Sequence, residues 1–69
     1  MDEGMKDYQK RVVEEKSELD SKLQKLRQFI AGIGFTGIDP KEQSRMIRQS
    51  LHMTEYSNVL LERIEAFEA

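Results

Sequence analysis

Residues 32–42 read GIGFTGIDPKE, and this stretch decides the fold because it separates two long amphipathic segments. Its glycines predict the end of a first helix, with Gly32 as the C-cap. Asp39 is a favoured N-cap and Pro40 suits the first helical position, so a second helix is predicted to begin here. Glu42 occupies the position from which an acidic side chain completes a capping box. The stretch therefore predicts a turn between two helices.

The glycines of residues 32–37 also spell G-x-G-x-x-G, the spacing that binds a dinucleotide pyrophosphate. That fingerprint requires a strand before the glycines and a βαβ unit around them. Here a helical pattern precedes the glycines, and the chain is too short for a doubly wound sheet. We therefore predict a hairpin turn whose end is covered by Ile33, Phe35 and Ile38, and no dinucleotide site.

Apolar residues on both sides of the turn recur at the spacing of amphipathic helices. In the first segment, about residues 5–31, they are Met5, Tyr8, Val12, Leu19, Leu23, Leu26 and Ile30. In the second, about residues 40–67, a seven-residue repeat runs through Met46, Met53, Leu60 and Phe67. A short connection makes two such helices antiparallel neighbours. We predict an all-α fold, a single helical-hairpin domain over residues 1–69 with its turn at residues 32–39.

The chain is too small to be very stable alone, because 69 residues bury little of the surface that the unfolded chain exposes. It contains no cysteine, which excludes disulfides and the usual zinc sites. Oligomerisation is the remaining way to gain stability. We predict that the hairpin assembles into an oligomeric helical bundle. No signal peptide or membrane-spanning run is evident, so we expect no membrane association and an intracellular protein.

The composition argues against catalysis and against nucleic-acid binding. His52 is the one histidine, and it has no serine or cysteine partner at a recognisable spacing. The net charge is −2, whereas nucleic-acid-binding domains are typically basic. We therefore predict no enzyme, no catalytic residue, no metal site, no cofactor and no DNA or RNA partner.

Charge is distributed unevenly along the hairpin. Residues 21–52, at the turn end, carry +4, whereas residues 1–20 and residues 53–69 carry −3 each. One interpretation is an antiparallel oligomer in which basic ends meet acidic ends. The other is an anion-binding site near the basic end.

One lysine interrupts the apolar stripe of the first helix. Lys16 lies between Val12 and Leu19, where a 3.5-residue repeat requires an inward position. Its stem can pack on the seam while its ammonium reaches water, or it can fix the register of the helices. Alternatively, it meets an anion at an interface. Tyr8 and Arg11 precede it, and an aromatic ring with nearby cations is suited to a nucleotide base and its phosphates.

Two long stretches of the chain resemble a widespread group of small bacteriophage proteins. They are YQKRVVEEKSELDSKLQKLRQFI and MIRQSLHMTEYSNVLLERIEAF. The shared pattern is Y-x-x-R, then E-L-x-x-K-x-x-K-L, and later M-x-x-Y-S-x-x-L-x-x-R-I, and it covers about residues 8–67. The hairpin is also similar in layout to the helical hairpin domain of the phage sponges that defeat CBASS and Thoeris immunity.

This resemblance implies binding without catalysis in the cytoplasm of a host bacterium. The anti-CBASS and anti-Thoeris sponges form hexamers that sequester cyclic dinucleotides or cyclic ADP-ribose isomers between protomers. A tyrosine ahead of their first long helix and a lysine inside it contact the ligand. Tyr8 matches the tyrosine, and either Lys16 or Lys22 matches the lysine.

Two functions follow from the sequence. In the first, a homo-oligomer, hexameric by analogy and otherwise dimeric, sequesters a cyclic nucleotide signal for immune evasion. Tyr8 would stack on the base, while Arg11, Lys16 and Lys22 would hold phosphates. In the second, the hairpin is a protein-binding module, such as an inhibitor of a host defence protein or a structural adaptor, whose apolar helix faces contact the partner.

Overall fold

The computed structural model describes residues 4–68; residues 1–3 and 69 of the predicted domain lie outside this range. Helix α1 covers Asp7–Ile30 and helix α2 covers Pro40–Glu65. A 3-10 helix, Ile33–Gly37, lies between them, and a second one, Ala66–Glu68, follows α2. The prediction of an all-helical fold is confirmed for residues 4–68, which contain these two α-helices and no strand.

Helix α2 begins where the sequence predicts, but one part of its cap differs. The Asp39 carboxylate accepts a hydrogen bond from the backbone N–H of Lys41 at 3.0 Å, and Pro40 occupies the first turn. Glu42 does not complete a capping box. Its carboxylate instead accepts a 2.7 Å hydrogen bond from Nε of Arg45. The N-terminus of α2 is therefore capped by the aspartate alone.

The turn uses ordinary backbone angles. None of the glycines among residues 4–68 has a positive φ, and Gly32 is extended at φ −90° and ψ 170°. The C-cap of α1 is Ala31, in the right-handed helical region, so the prediction of Gly32 as the C-cap is wrong; Gly32 is instead the N-cap of the 3-10 helix. The turn is held by hydrogen bonds, including one from Gln43 Nε2 to the Phe35 carbonyl at 2.8 Å. Phe35 and Ile38 are half-buried, but Ile33 is 92% exposed, so the prediction that Ile33 covers the hairpin end is wrong.

The two helices pack side by side along a seam, the line of contact between α1 and α2. Tyr8 contacts Phe67, the side chain of Asp20 bonds Ser57, and that of Arg27 bonds Thr54. Along the seam, contacts made by later residues of α1 involve earlier residues of α2, so the two helices are antiparallel. The hairpin measures 49 × 18 × 14 Å. Within residues 4–67 the buried apolar side chains, all at the seam, are Val12, Leu23 and Leu60.

The seam leaves a broad flank of the hairpin on each side. One side is marked by the contact of Tyr8 with Phe67, the other by the bonds of Asp20 and Arg27 to α2. Residues three, four or seven positions apart lie on the same side of a helix. The aromatic flank, on the Tyr8 side, therefore includes Tyr8, Arg11, Lys22, Tyr56 and Val59. The aliphatic flank, on the Asp20 side, includes Val13, Ile47, Leu51 and Leu61.

Candidate ligand-binding site

Tyr8 lies in the first turn of α1, at the end of the hairpin opposite the turn, which we call the open end. Its ring packs edge to face against Phe67, with ring centroids 6.0 Å apart and an interplanar angle of 83°. This contact fixes the ring, yet 53% of the residue remains exposed. An aromatic ring that is held on one side and open on another provides a surface on which a planar ligand can stack.

Two of the predicted cations share the aromatic flank with this ring. Arg11 lies one turn beyond Tyr8, so the two side chains are neighbours on the helix surface. Lys22 lies on the same flank, about 21 Å further along the axis than Tyr8 at ~1.5 Å per residue. Both cations are exposed, and neither forms an ion pair with another residue of the described chain. Glu15 and Glu18 lie between them at the same helical spacing, so an anion from solution would bind these cations in competition with two carboxylates.

The fourth predicted residue, Lys16, is held at the seam by a closed triangle of hydrogen bonds. Its ammonium donates to Oδ2 of Asp20 at 2.7 Å and to Oγ of Ser57 at 3.2 Å. The Ser57 hydroxyl in turn donates to Oδ1 of Asp20 at 2.6 Å. Ser57 is 8% exposed, so this hydroxyl needs such partners. The triangle satisfies every group in it and joins the two helices.

The triangle also has an electrostatic effect. The hydrogen bond from Lys16, followed by that from Ser57, holds the pKa of the Asp20 carboxyl below its ordinary value of 3.8, although partial burial opposes this shift. Hydrogen bonds to a carboxylate favour its charged form. Asp20 is therefore ionised at neutral pH and neutralises much of the charge of Lys16.

The structure does not bring the four predicted site residues together in one place. Asp20 follows Arg11 by nine positions, which is about half a turn around the helix at ~100° per residue. The ammonium of Lys16 is thus drawn toward the aliphatic flank, away from Arg11 and Lys22. Tyr8 and Arg11 lie together, Lys22 lies on the same flank three to four turns away, and Lys16 already has an anionic partner.

The sequence interpretation missed Asp20, Ser57 and Phe67 as the partners of its candidates. Ser57 gave one signal, because a serine seven residues before Ile64 occupies an inward position of α2. The hydrogen bond between Ser57 and Lys16 could not be predicted from the sequence, because such a prediction requires the register between the two helices.

The aliphatic flank carries a shallow depression of about 160 Å³ beside Val13, lined also by Met5, Lys10 and Glu14. It contains none of the four predicted site residues. Across residues 4–68, no group of three acidic or histidine side chains is arranged to hold a metal ion. In the same range, neither helix is both long and apolar enough to cross a membrane.

Comparison with known proteins places the chain in a family. The sequence model of the Sequestin family matches residues 6–66, a range that contains both α-helices and the turn between them. No curated protein and no solved structure matches the chain significantly. The family's name denotes sequestration of a ligand, a binding rather than a catalytic role. Because the match covers nearly the whole hairpin, the chain belongs to the Sequestin family.

Proposed function

We propose that this protein sequesters a cyclic nucleotide signal, either a cyclic dinucleotide or a cyclic ADP-ribose isomer, without converting it. The observation that carries the proposal is the aromatic flank, where an exposed tyrosine lies one turn from an arginine that forms no ion pair within residues 4–68. A base can stack on Tyr8 while its phosphate binds the guanidinium of Arg11. The name of the family supports sequestration as the role.

The spacing of the cations supports a site shared between copies. Tyr8 and Arg11 are close enough to hold one nucleotide unit, whereas Lys22 lies about 21 Å from Tyr8 along the helix axis. A compact ligand on Tyr8 therefore meets Lys22 of a neighbouring copy more readily than that of the same chain. This arrangement requires a homo-oligomer, and the hexamer of the similar phage sponges is our working assembly.

Lys16 takes part in this scheme only after a change of partner. A phosphate that binds its ammonium competes with Asp20, which already accepts a 2.7 Å hydrogen bond from it. We therefore assign Lys16 a secondary role in the site, behind Tyr8, Arg11 and Lys22. The setting in which this function would serve is phage immune evasion in the cytoplasm of a host bacterium.

The test is calorimetric titration of the purified protein with individual cyclic di- and trinucleotides and cyclic ADP-ribose isomers, paired with native mass spectrometry. We expect one ligand of this panel to bind with a defined stoichiometry per oligomer and to be recovered unchanged. Tyr8→Ala should abolish that binding while circular dichroism shows an intact hairpin. A panel without any binding at micromolar protein overturns the proposal and favours a protein-binding role.

A further inference from the structure

The aliphatic flank has the chemistry of a protein interface. It presents four exposed aliphatic side chains, namely Val13, Ile47, Leu51 and Leu61. Helical spacing places uncharged polar residues in its middle, namely Ser17, Gln24 and Asn58. The charged groups in its middle, Lys16 and Asp20, already form an ion pair with each other, so covering this surface leaves no unpaired charge between them.

The charge distribution of the whole hairpin favours one direction in which a second copy can pack. The turn end of the hairpin carries +4, and the two segments that meet at its open end carry −3 each. A second copy packed in the same direction would place like charges side by side. A copy packed in the opposite direction places each basic end against an acidic end, which is favourable at both ends.

We propose that the aliphatic flank binds the same flank of a second copy in an antiparallel dimer whose two-fold axis passes near Asn58. The inference goes beyond the proposed function, whose shared site requires a contact between aromatic flanks, and it does not depend on any ligand. It assigns the contact surface that the ligand site leaves unused, so the aromatic flank of each copy stays exposed for nucleotide or for further assembly.

The apolar side chains match under this symmetry. Ile47 and Leu51 lie on the turn side of Asn58, whereas Leu61 and Val13 lie on the side of the open end. A two-fold rotation near Asn58 therefore brings Leu51 of one copy close to the level of Val13 in the other. Leu51 of the partner subunit then lies opposite the depression of about 160 Å³ beside Val13, where an aliphatic side chain can insert.

A second copy would also add to a small core. The hairpin measures 49 × 18 × 14 Å, and within residues 4–67 its buried apolar side chains are Val12, Leu23 and Leu60. A copy packed lengthwise on the aliphatic flank would also cover Val13, Ile47, Leu51 and Leu61, which a single hairpin leaves exposed.

Cysteine crosslinking tests the surface and the direction together, because the chain contains no native cysteine. Asn58 and Val59 are consecutive but lie on opposite flanks. In the full-length protein without ligand, mild oxidation should crosslink Asn58→Cys into disulfide dimers within minutes and should leave Val59→Cys largely monomeric. Equal or faster crosslinking of Val59→Cys overturns the assignment of the flank, and a monomer by sedimentation overturns the dimer.

A third cysteine variant separates the two directions. In the antiparallel dimer the two copies of residue 47 lie about 33 Å apart, at ~1.5 Å per residue from an axis near Asn58. Ile47→Cys should therefore not crosslink to itself. In a parallel dimer it would do so as readily as Asn58→Cys, and this result would overturn the antiparallel arrangement.

Charge substitution at Leu51 provides a second measurement that does not use cysteine. Leu51 is 61% exposed, so either charged residue is compatible with a folded hairpin, which circular dichroism would verify. Leu51 should insert into the depression that Val13 and Met5 line with one cation, Lys10, and one anion, Glu14, so both Leu51→Glu and Leu51→Lys should weaken dimerisation by sedimentation equilibrium at least tenfold. Unchanged dimerisation in both variants overturns the proposal. Failure of this dimer with intact nucleotide binding would remove the interface but leave the proposed function standing.

Discussion

Both flanks of the hairpin expose large apolar side chains, yet their chemistry differs. On the aromatic flank that surface includes tyrosine rings, with Arg11 one turn from Tyr8 and Lys22 further along. On the aliphatic flank it consists of branched side chains around a middle in which the charges of Lys16 and Asp20 are paired with each other. The difference shows that exposed apolar area alone does not identify a partner. The polar groups beside it distinguish a surface suited to a small anion from one suited to another helix.

The largest expected effect is a difference in stability between a variant in the seam and a variant on the aliphatic flank. Leu60 is 1% exposed and its neighbour Leu61 is 43% exposed. Leu60→Ala should lower the free energy of unfolding by about 2–5 kcal/mol, because it leaves a cavity in a small core. Leu61→Ala should cost much less in dilute protein and more in concentrated protein, where a second copy covers the side chain.

Denaturation followed by circular dichroism at two protein concentrations measures both variants. Wild type at each concentration is the reference. If Leu61→Ala destabilises dilute protein as strongly as Leu60→Ala, then Leu61 belongs to the seam and the description of the aliphatic flank is wrong.

The second effect compares two adjacent cations near the open end. Arg11 lies on the aromatic flank, whereas Lys10 lines the depression beside Val13. Arg11→Ala should weaken binding of the cyclic nucleotide by about 10- to 100-fold, because a charge-assisted hydrogen bond contributes roughly 1.5–3 kcal/mol. Lys10→Ala removes the same charge and should change the affinity less than threefold in calorimetric titrations. Equal losses would mean that net charge rather than the flank attracts the ligand.

The smallest effect concerns the triangle at the seam. The pKa of Asp20 is lowered in the folded protein by the hydrogen bonds from Lys16 and Ser57. Its contribution to stability is therefore complete above the ordinary pKa of 3.8 and is lost as pH falls through the lower folded value. The side chain is 43% exposed, so we expect only about 0.2–1 kcal/mol, the range of solvent-screened ion pairs.

Chemical denaturation between pH 6 and pH 2 checks this expectation. Asp20→Asn should lose less stability than wild type over that range, because it has no carboxylate to protonate. Glu18→Gln is a suitable control, since the carboxylate of Glu18 forms no ion pair with a described residue. Identical pH profiles for wild type and Asp20→Asn would contradict the electrostatic role of the triangle.

Local patterns were sufficient to predict the hairpin. The steps of three, four and seven between apolar residues gave both helices, and Asp39 with Pro40 gave the start of α2. These signals are readable because helix periodicity and capping depend on residues close in sequence. The interruption at Lys16 was also visible, and the structure favours its structural interpretation, with the ammonium bound between the helices.

What the sequence did not predict depends on side chains that compete for the same partner. Glu42 was expected to reach back to the helix start, but Arg45 lies within reach and provides a charged donor. Ser57 became visible as the partner of Lys16 only once the register between α1 and α2 was known. The sequence pattern also did not predict the backbone conformation of Gly32, which is extended rather than left-handed; its N–H donates to the Phe29 carbonyl, as in a 3-10 turn.

The order of contacts along the seam has a consequence for how the hairpin opens. Gln43 and Phe35 are 8 residues apart, Arg27 and Thr54 are 27 apart, and the Tyr8–Phe67 contact closes the longest loop of all. Closing a longer loop costs more chain entropy, and helix ends open before helix centres. Tyr8 therefore lies where the hairpin closes last and opens first. A ligand that stacks on it should slow amide hydrogen exchange at the open end far more than at the turn.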